Sequence, residues 1–272
     1  MSDANKIKWQ WWHSGALFVL PAALIVIMVA GFKYDITGTP VKTWGALIVM
    51  FVMFSMIVGH GVTGSWKGAF IDNRNVISLS RFQMLAWTVL VLSAFMAAAL
   101  WNILHAATPT PLDITLPETL WLLMGISTTS LVASPLILNG KKNKQPDVDE
   151  KQKTLDLLSK QGNILADNQG QVMINTSIEQ ASWVDMFTGE ETGNAAHLDL
   201  TRVQMFFFTI VSLLCYGVAI GHLLAATGNA QAITDFPGLS EGLIALISIS
   251  HAGYLVAKAI PHSQTDSDSA AI

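Results

Sequence analysis

Apolar positions along this chain accumulate in six long runs, at about Ala16–Gly31, Trp44–Val62, Arg81–His105, Glu118–Leu138, Arg202–Ala226 and Glu241–Ile260, with charged residues confined to the run ends and the stretches between them. Runs of this length suit the hydrocarbon thickness of a bilayer rather than a soluble core. The pattern predicts an all-α polytopic membrane protein with six transmembrane helices. The first run is longer than the apolar part of a signal peptide, so it reads as a span. Two later runs open alike: Leu79-Ser80-Arg81-Phe82-Gln83-Met84 recurs 121 positions on as Leu200-Thr201-Arg202-Val203-Gln204-Met205. Downstream, Leu116-Pro117-Glu118-Thr119-Leu120 matches Leu239-Ser240-Glu241-Gly242-Leu243, 123 positions apart. This predicts a duplicated two-helix unit, and an even number of spans per copy makes the internal repeat parallel. The chain divides into an N-terminal hairpin with its inner loop (1–78), repeat A (79–138), a polar loop (139–198), repeat B (199–261) and a Ser/Asp-rich tail (262–272) that reads as disordered.

Within the polar loop, Asp147 with Lys151, Glu150 with Lys153 and Asp156 with Lys160 are spaced as helix-surface pairs, predicting a short amphipathic helix that Gly162 ends. Gln171–Thr176 alternates weakly, as a strand would. Ser177–Phe187 reads as a second helix, lying on the inner membrane face or docking a partner.

The repeated hexamer carries a capping-box spacing, Ser80 with Gln83 and Thr201 with Gln204, which places Arg81 and Arg202 at the first helical position. A cation there opposes the helix dipole by about 0.3–1 kcal/mol. Either the lipid headgroups offset this, or a carboxylate such as Asp72, Glu190 or Glu191 does.

Composition narrows the function. The chain is 51% hydrophobic and 12% charged, with a net charge of −4, so it has no basic footprint for nucleic acid. Of its 15 Lys and Arg residues only Lys33 and Lys42 fall outside when both termini and the polar loop are cytoplasmic, which sets the expected topology. Trp9, Trp11, Trp12, Trp44, Trp66 and Trp121 sit near the run ends, as interfacial indoles do. The single Cys215 permits no internal disulfide and reads as a small buried packer.

No Asp, Glu, Lys or Arg lies near mid-span, which removes the usual groups of ion-coupled carriers. The polar content there is Ser127, Thr128 and Ser130 in the fourth run and Ser248, Ser250 and His251 at matching positions of the sixth. These residues either sit in a seam of small residues (Gly125 with Thr129, Gly253 with Ala257) or line a polar path with Glu118 and Glu241 at its outer mouth. His60, His105 and His222 lie near run ends and read as interfacial. The histidines lack metal-ligand spacing, and no phosphate-cradling glycine loop or nucleophile elbow occurs, so neither cofactor nor enzymatic activity is expected. Two functions stay open: a homo-oligomeric pore or permeation path through the lipid bilayer, and a non-conducting scaffold that recruits a cytosolic protein through residues 139–199.

Ser78-Leu79-Ser80-Arg81-Phe82-Gln83 with Trp87-Thr88, the Gly189-Glu190-Glu191 turn, and Ile249-Ser250-His251-Ala252-Gly253-Tyr254-Leu255 together resemble a group of uncharacterised bacterial multi-pass membrane proteins. The likeness spans roughly Gly61 to Pro261. It implies a bacterial inner-membrane location and carries over no catalytic or binding residue.

Overall fold

The computed structural model of the chain describes residues 9–33, 39–106, 108–227 and 231–263, so the tail read as disordered falls mostly outside the described residues. Among the described residues seven helices dominate: α1 (Trp11–Lys33), α2 (Pro40–Thr63), α3 (Leu79–Leu104), α4 (Glu118–Lys142), α5 (Val148–Lys160), α6 (Leu200–Ala226) and α7 (Glu241–Ala259). Among the described residues five of them, α2, α3, α4, α6 and α7, are long and apolar enough to cross a membrane. The shorter apolar stretch of α1 runs from Trp11 to Val26.

Each long helix starts and stops where local chemistry directs. Pro40 opens α2, where its missing N–H costs nothing, and Gly64 closes it in the left-handed conformation at φ 76°. Glu118 and Glu241 occupy the first turns of α4 and α7, favoured there by the helix dipole, and the Ser240 hydroxyl accepts from the Leu243 amide.

Helix α2 packs on α1 and α3, α3 on α4 and α6, and α7 on both α4 and α6. The core between them combines Trp44, Leu47, Trp87, Trp101, Leu120 and Ile220 with the small Ala94, Ala97 and Ala98 of α3, which let neighbouring helices approach closely. Trp44 is thus a core residue rather than an interfacial one, and its indole N–H donates to Ser93 Oγ at 3.0 Å. Phe18, Val19, Leu214, Val218 and Ile249 point outward, as lipid-facing side chains do, and so does Cys215, which is exposed rather than packed inside. Gly125 and Gly253 also face open space, so the expected small-residue seam is not formed at these two positions within the chain.

At one end of the bundle the α3–α4 and α6–α7 connections are joined. Thr115 donates its amide to Thr234 O at 2.7 Å and accepts from the Phe236 amide at 3.0 Å. The buried Asn102 amide group bonds both the N–H and the C=O of Ile233, each at 2.8 Å. The opposite end carries the polar loop. There α5 forms where the charge spacing predicts it, capped by the Asp147 side chain, and Val172–Asn175 pairs as β2 antiparallel to β1 (Ala166–Gln169). Gly170 in their turn has φ 58° and lies against the Lys142 carbonyl, so it supplies both the left-handed backbone and the room for contact with α4. Ser177–Phe187 is not a helix on the membrane surface. It forms two short 3₁₀ turns, Ile178–Gln180 and Trp183–Met186, because Asp185 accepts from the Ser182 amide at 2.8 Å and the Ile77 amide at 3.0 Å, tying the stretch to the segment before α3. A second apolar cluster, Ile71, Ile77, Leu79, Ala181, Met186, Met205 and Tyr254, then seats the loop on the ends of α3, α6 and α7.

Candidate functional site: a buried ion network under the polar loop

The loop reaches into the bundle with two adjacent acids, Glu190 and Glu191, 8% and 3% exposed. Glu190 Oε1 accepts from Arg74 Nη2 and from Arg202 Nη2, both at 2.7 Å, and its Oε2 faces Lys258 Nζ at 2.7 Å. Three cations from three separate segments converge on one carboxylate. Asp72 pairs with Arg74 at 2.8 Å, and Asp199 Oδ2 lies 3.3 Å from Arg202 Nε, so three carboxylates balance the three cations. Lys258 completes its shell with Tyr254 Oη at 2.7 Å and Ser134 Oγ. Glu191 Oε1 accepts from Lys141 Nζ at 2.5 Å, and its Oε2 accepts from the His262 amide at 3.0 Å. The remaining Lys141 donors go to the carbonyls of Lys258 at 2.6 Å and Ile260 at 2.8 Å, the last turn and exit of α7. Gly193, against the His262 carbonyl, has no room for a Cβ, which keeps this turn pressed on the end of α7.

Burial opposes ionisation of Glu190, but Arg202, Arg74 and Lys258 outweigh it and hold the carboxyl well below its usual range. Burial likewise opposes the Arg74 charge, and Glu190 and Asp72 together push its pKa above the ordinary value. Asp185 behaves differently: burial raises it, only partly opposed by the Ser182 and Ile77 amides.

The arginine partner expected from the sequence is therefore Glu190 for Arg202, whereas Arg81 donates Nη1 to the Ile71 carbonyl at 2.8 Å. The predicted caps need correction. Helix α3 begins at Leu79 behind Ser78, and α6 at Leu200 behind Asp199, so Ser80, Thr201 and the two arginines lie inside the first turn. Asp199 Oδ1 accepts from the Thr201 amide at 2.9 Å and its hydroxyl at 2.6 Å. Ser80 Oγ is buried and has no partner among the described residues. Gln83 turns inward to Thr209 of α6, while Gln204 is exposed. The capping box gives way because a carboxylate at 199 is a stronger acceptor than the Thr201 hydroxyl, and because Gln83 has a buried hydrogen-bond partner across the bundle. Asp199→Ala is accordingly expected to cost about 1–2 kcal/mol. Ser80→Ala, which removes a buried unpaired hydroxyl, should be neutral or stabilising. Thermal unfolding in detergent checks both, and a larger loss for Ser80→Ala would restore it as the cap.

Of the six polar mid-span residues, the structure brings two together: Ser130 Oγ and His251 Nδ1 lie 2.6 Å apart, both buried between α4 and α7. Ser127 and Ser250 are buried, with hydroxyls that have no partner among the described residues, whereas Thr128 and Ser248 bond carbonyls of their own helices. Beside the Ser130–His251 pair a shallow groove of about 540 Å³ opens outward, lined by Trp121, Gly125, Thr129, Ser248 and Leu255. Glu118 and Glu241 are exposed at the opposite end from the ion network. His60 is not isolated at a span end: its Nδ1 meets His13 Nε2 at 3.0 Å, with Trp12 stacked on His13 at 3.6 Å.

Sequence reasoning named Asp72, Glu190 and Glu191 as arginine partners but missed Arg74, Lys141 and Lys258. The available signal was a lysine near the end of an apolar helix, which charge counting treats only as a topology marker. Among the described residues no group of three or more His, Cys, Asp or Glu is placed to hold a metal ion. Comparison of the chain with protein-family models, with curated proteins and with solved structures returns no match.

Proposed function

We propose that this chain is a multi-pass inner-membrane protein of bacterial type, with α1 as its sixth span, a duplicated two-helix unit and both termini cytoplasmic. It acts as a non-conducting scaffold whose inner loop is a rigid platform for a cytosolic protein. The observation that carries this reading is the junction of Glu190 with Arg74, Arg202 and Lys258, which makes the loop part of the helix bundle. A buried charge network of this kind is costly to assemble and costly to break, so it suits a fixed surface better than a mobile tether. The exposed charged face of α5 and the exposed Ile164 and Val184 supply that surface.

The test uses the full chain in lipid nanodiscs and planar bilayers, because the acids of the loop depend on the helices. A scaffold passes no ions between pH 5 and 7. Single cysteines at Asp113 and Asp235, in a Cys215→Ala background, should be labelled from outside, and one at Gln161 from inside. The reverse pattern would overturn the topology.

One observation favours a second reading, the homo-oligomeric path: the groove beside Ser130 and His251 would be enclosed if a second copy packed on α4 and α7. A conductance that falls toward pH 5 and loses this dependence in His251→Gln would select the path over the scaffold.

A further inference from the structure

The two matched helix starts are treated unequally. At α6, Asp199 caps the first turn and Glu190 neutralises Arg202. At α3, Ser78 makes no side-chain cap, no acid occupies the first turn, and Arg81 donates to the Ile71 carbonyl with no ion pair among the described residues. A carboxylate present in one copy thus has no counterpart in the other.

In its place lies a cavity of about 450 Å³ between the start of α3 and the end of α4. The Asp72 and Arg74 charges on its wall are already paired with each other and with Glu190. Two cations on the wall lack a carboxylate: Arg81, and Lys142, for which no partner occurs among the described residues. Ser80, 1% exposed and with a buried hydroxyl that has no partner among the described residues, is part of the same wall. Amides of an uncapped first turn add a partial positive charge. Together these groups form a receptor for a phosphate-sized anion.

The rest of the wall selects the source of that anion. Below Arg81 lie Met84 and Leu85, one turn deeper along α3, and below Lys142 lie Leu138 and Leu131, one to three turns deeper along α4. The cavity is polar at the loop end and apolar toward the bundle centre, the sense in which a lipid of that leaflet lies. A soluble phosphoester would leave this apolar wall uncovered. We propose that the cavity binds an anionic phospholipid, with the phosphate between Arg81, Lys142 and Ser80 and the upper acyl chain against Leu85 and Leu131.

The experiment is a thermal-shift titration of the purified full chain in mild detergent with short-chain phosphatidylglycerol, phosphatidylcholine or inorganic phosphate. Phosphatidylglycerol should half-saturate at a several-fold lower concentration than phosphatidylcholine. Arg81→Gln and Lys142→Gln should each weaken it about five-fold, and the pair roughly 25-fold. Lys144→Gln, at an exposed lysine outside the cavity, should leave it unchanged. Lys142→Gln keeps the test decisive even if Arg81→Gln fails to fold, since among the described residues the Lys142 side chain makes no hydrogen bond or ion pair and only its backbone carbonyl meets Gly170. Equal binding of the two lipids, or no effect of Lys142→Gln, overturns the proposal. Competition by inorganic phosphate at equal concentration overturns the lipid assignment.

Discussion

Glu190→Gln is expected to destabilise the protein by about 3–5 kcal/mol, because it removes one partner of a buried ion network and leaves the others unneutralised. Arg74, Arg202 and Lys258 would then share only Asp72 and Asp199. Gln is close to isosteric, so the loss reports charge rather than a cavity. Thermal unfolding in detergent measures it, with Glu179→Gln, on an exposed 3₁₀ turn, as the near-silent comparison. The pH dependence has a definite sign. The folded-state pKa of Glu190 lies well below its ordinary 4.5, so its contribution is complete above that value and is lost as pH falls through the folded pKa. Asp185, raised by burial, acts oppositely: keeping it ionised costs stability at neutral pH, and acidification toward its ordinary 3.8 relieves that cost. Acid unfolding of the wild type should therefore set in below about pH 4.5 and be blunted in Glu190→Gln.

Lys141→Met should cost a similar amount, again about 3–5 kcal/mol, since it strands the Glu191 carboxylate and two carbonyls at the exit of α7. Replacing both members, Lys141→Met with Glu191→Met, removes the charges together and should leave the protein more stable than Glu191→Met or Lys141→Met alone. A double variant as unstable as the sum of the singles would mean that the pair does not interact.

Much of the helical architecture was legible because apolar runs of this length have few alternatives in water or lipid. Helix α5 was equally legible from its paired charges. The helix starts were misread by two residues at each copy. Ser80-x-x-Gln83 and Thr201-x-x-Gln204 satisfy a local capping rule, but Asp199 caps α6 more strongly and Gln83 is drawn to Thr209 across the bundle. Local spacing does not register such long-range competitors. For the same reason Ser177–Phe187 looked helical: the tie from Asp185 to the Ile77 amide is invisible along the chain. The ion network was half legible. Glu190 and Glu191 stood out as acids near the arginine repeat, whereas Lys141 and Lys258 share the composition of any basic helix end. Only the fold shows that one sits under Glu191 and the other under Glu190.

Amide hydrogen exchange on the full chain in nanodiscs tests most directly that the polar loop is locked to the bundle through Glu190. In the wild type, the amides of Met173, Asn175, Thr192 and Ala195, which bond to Glu190, Arg74, Gln171 and Glu191 carbonyls, should be protected to nearly the degree of the second turns of α3 and α6, whose amides bond within their helices. In Glu190→Gln that protection should fall in the loop and in the start of α6 together. Rapid exchange across residues 171–195 in the wild type, or loop protection unchanged by Glu190→Gln, would contradict the account.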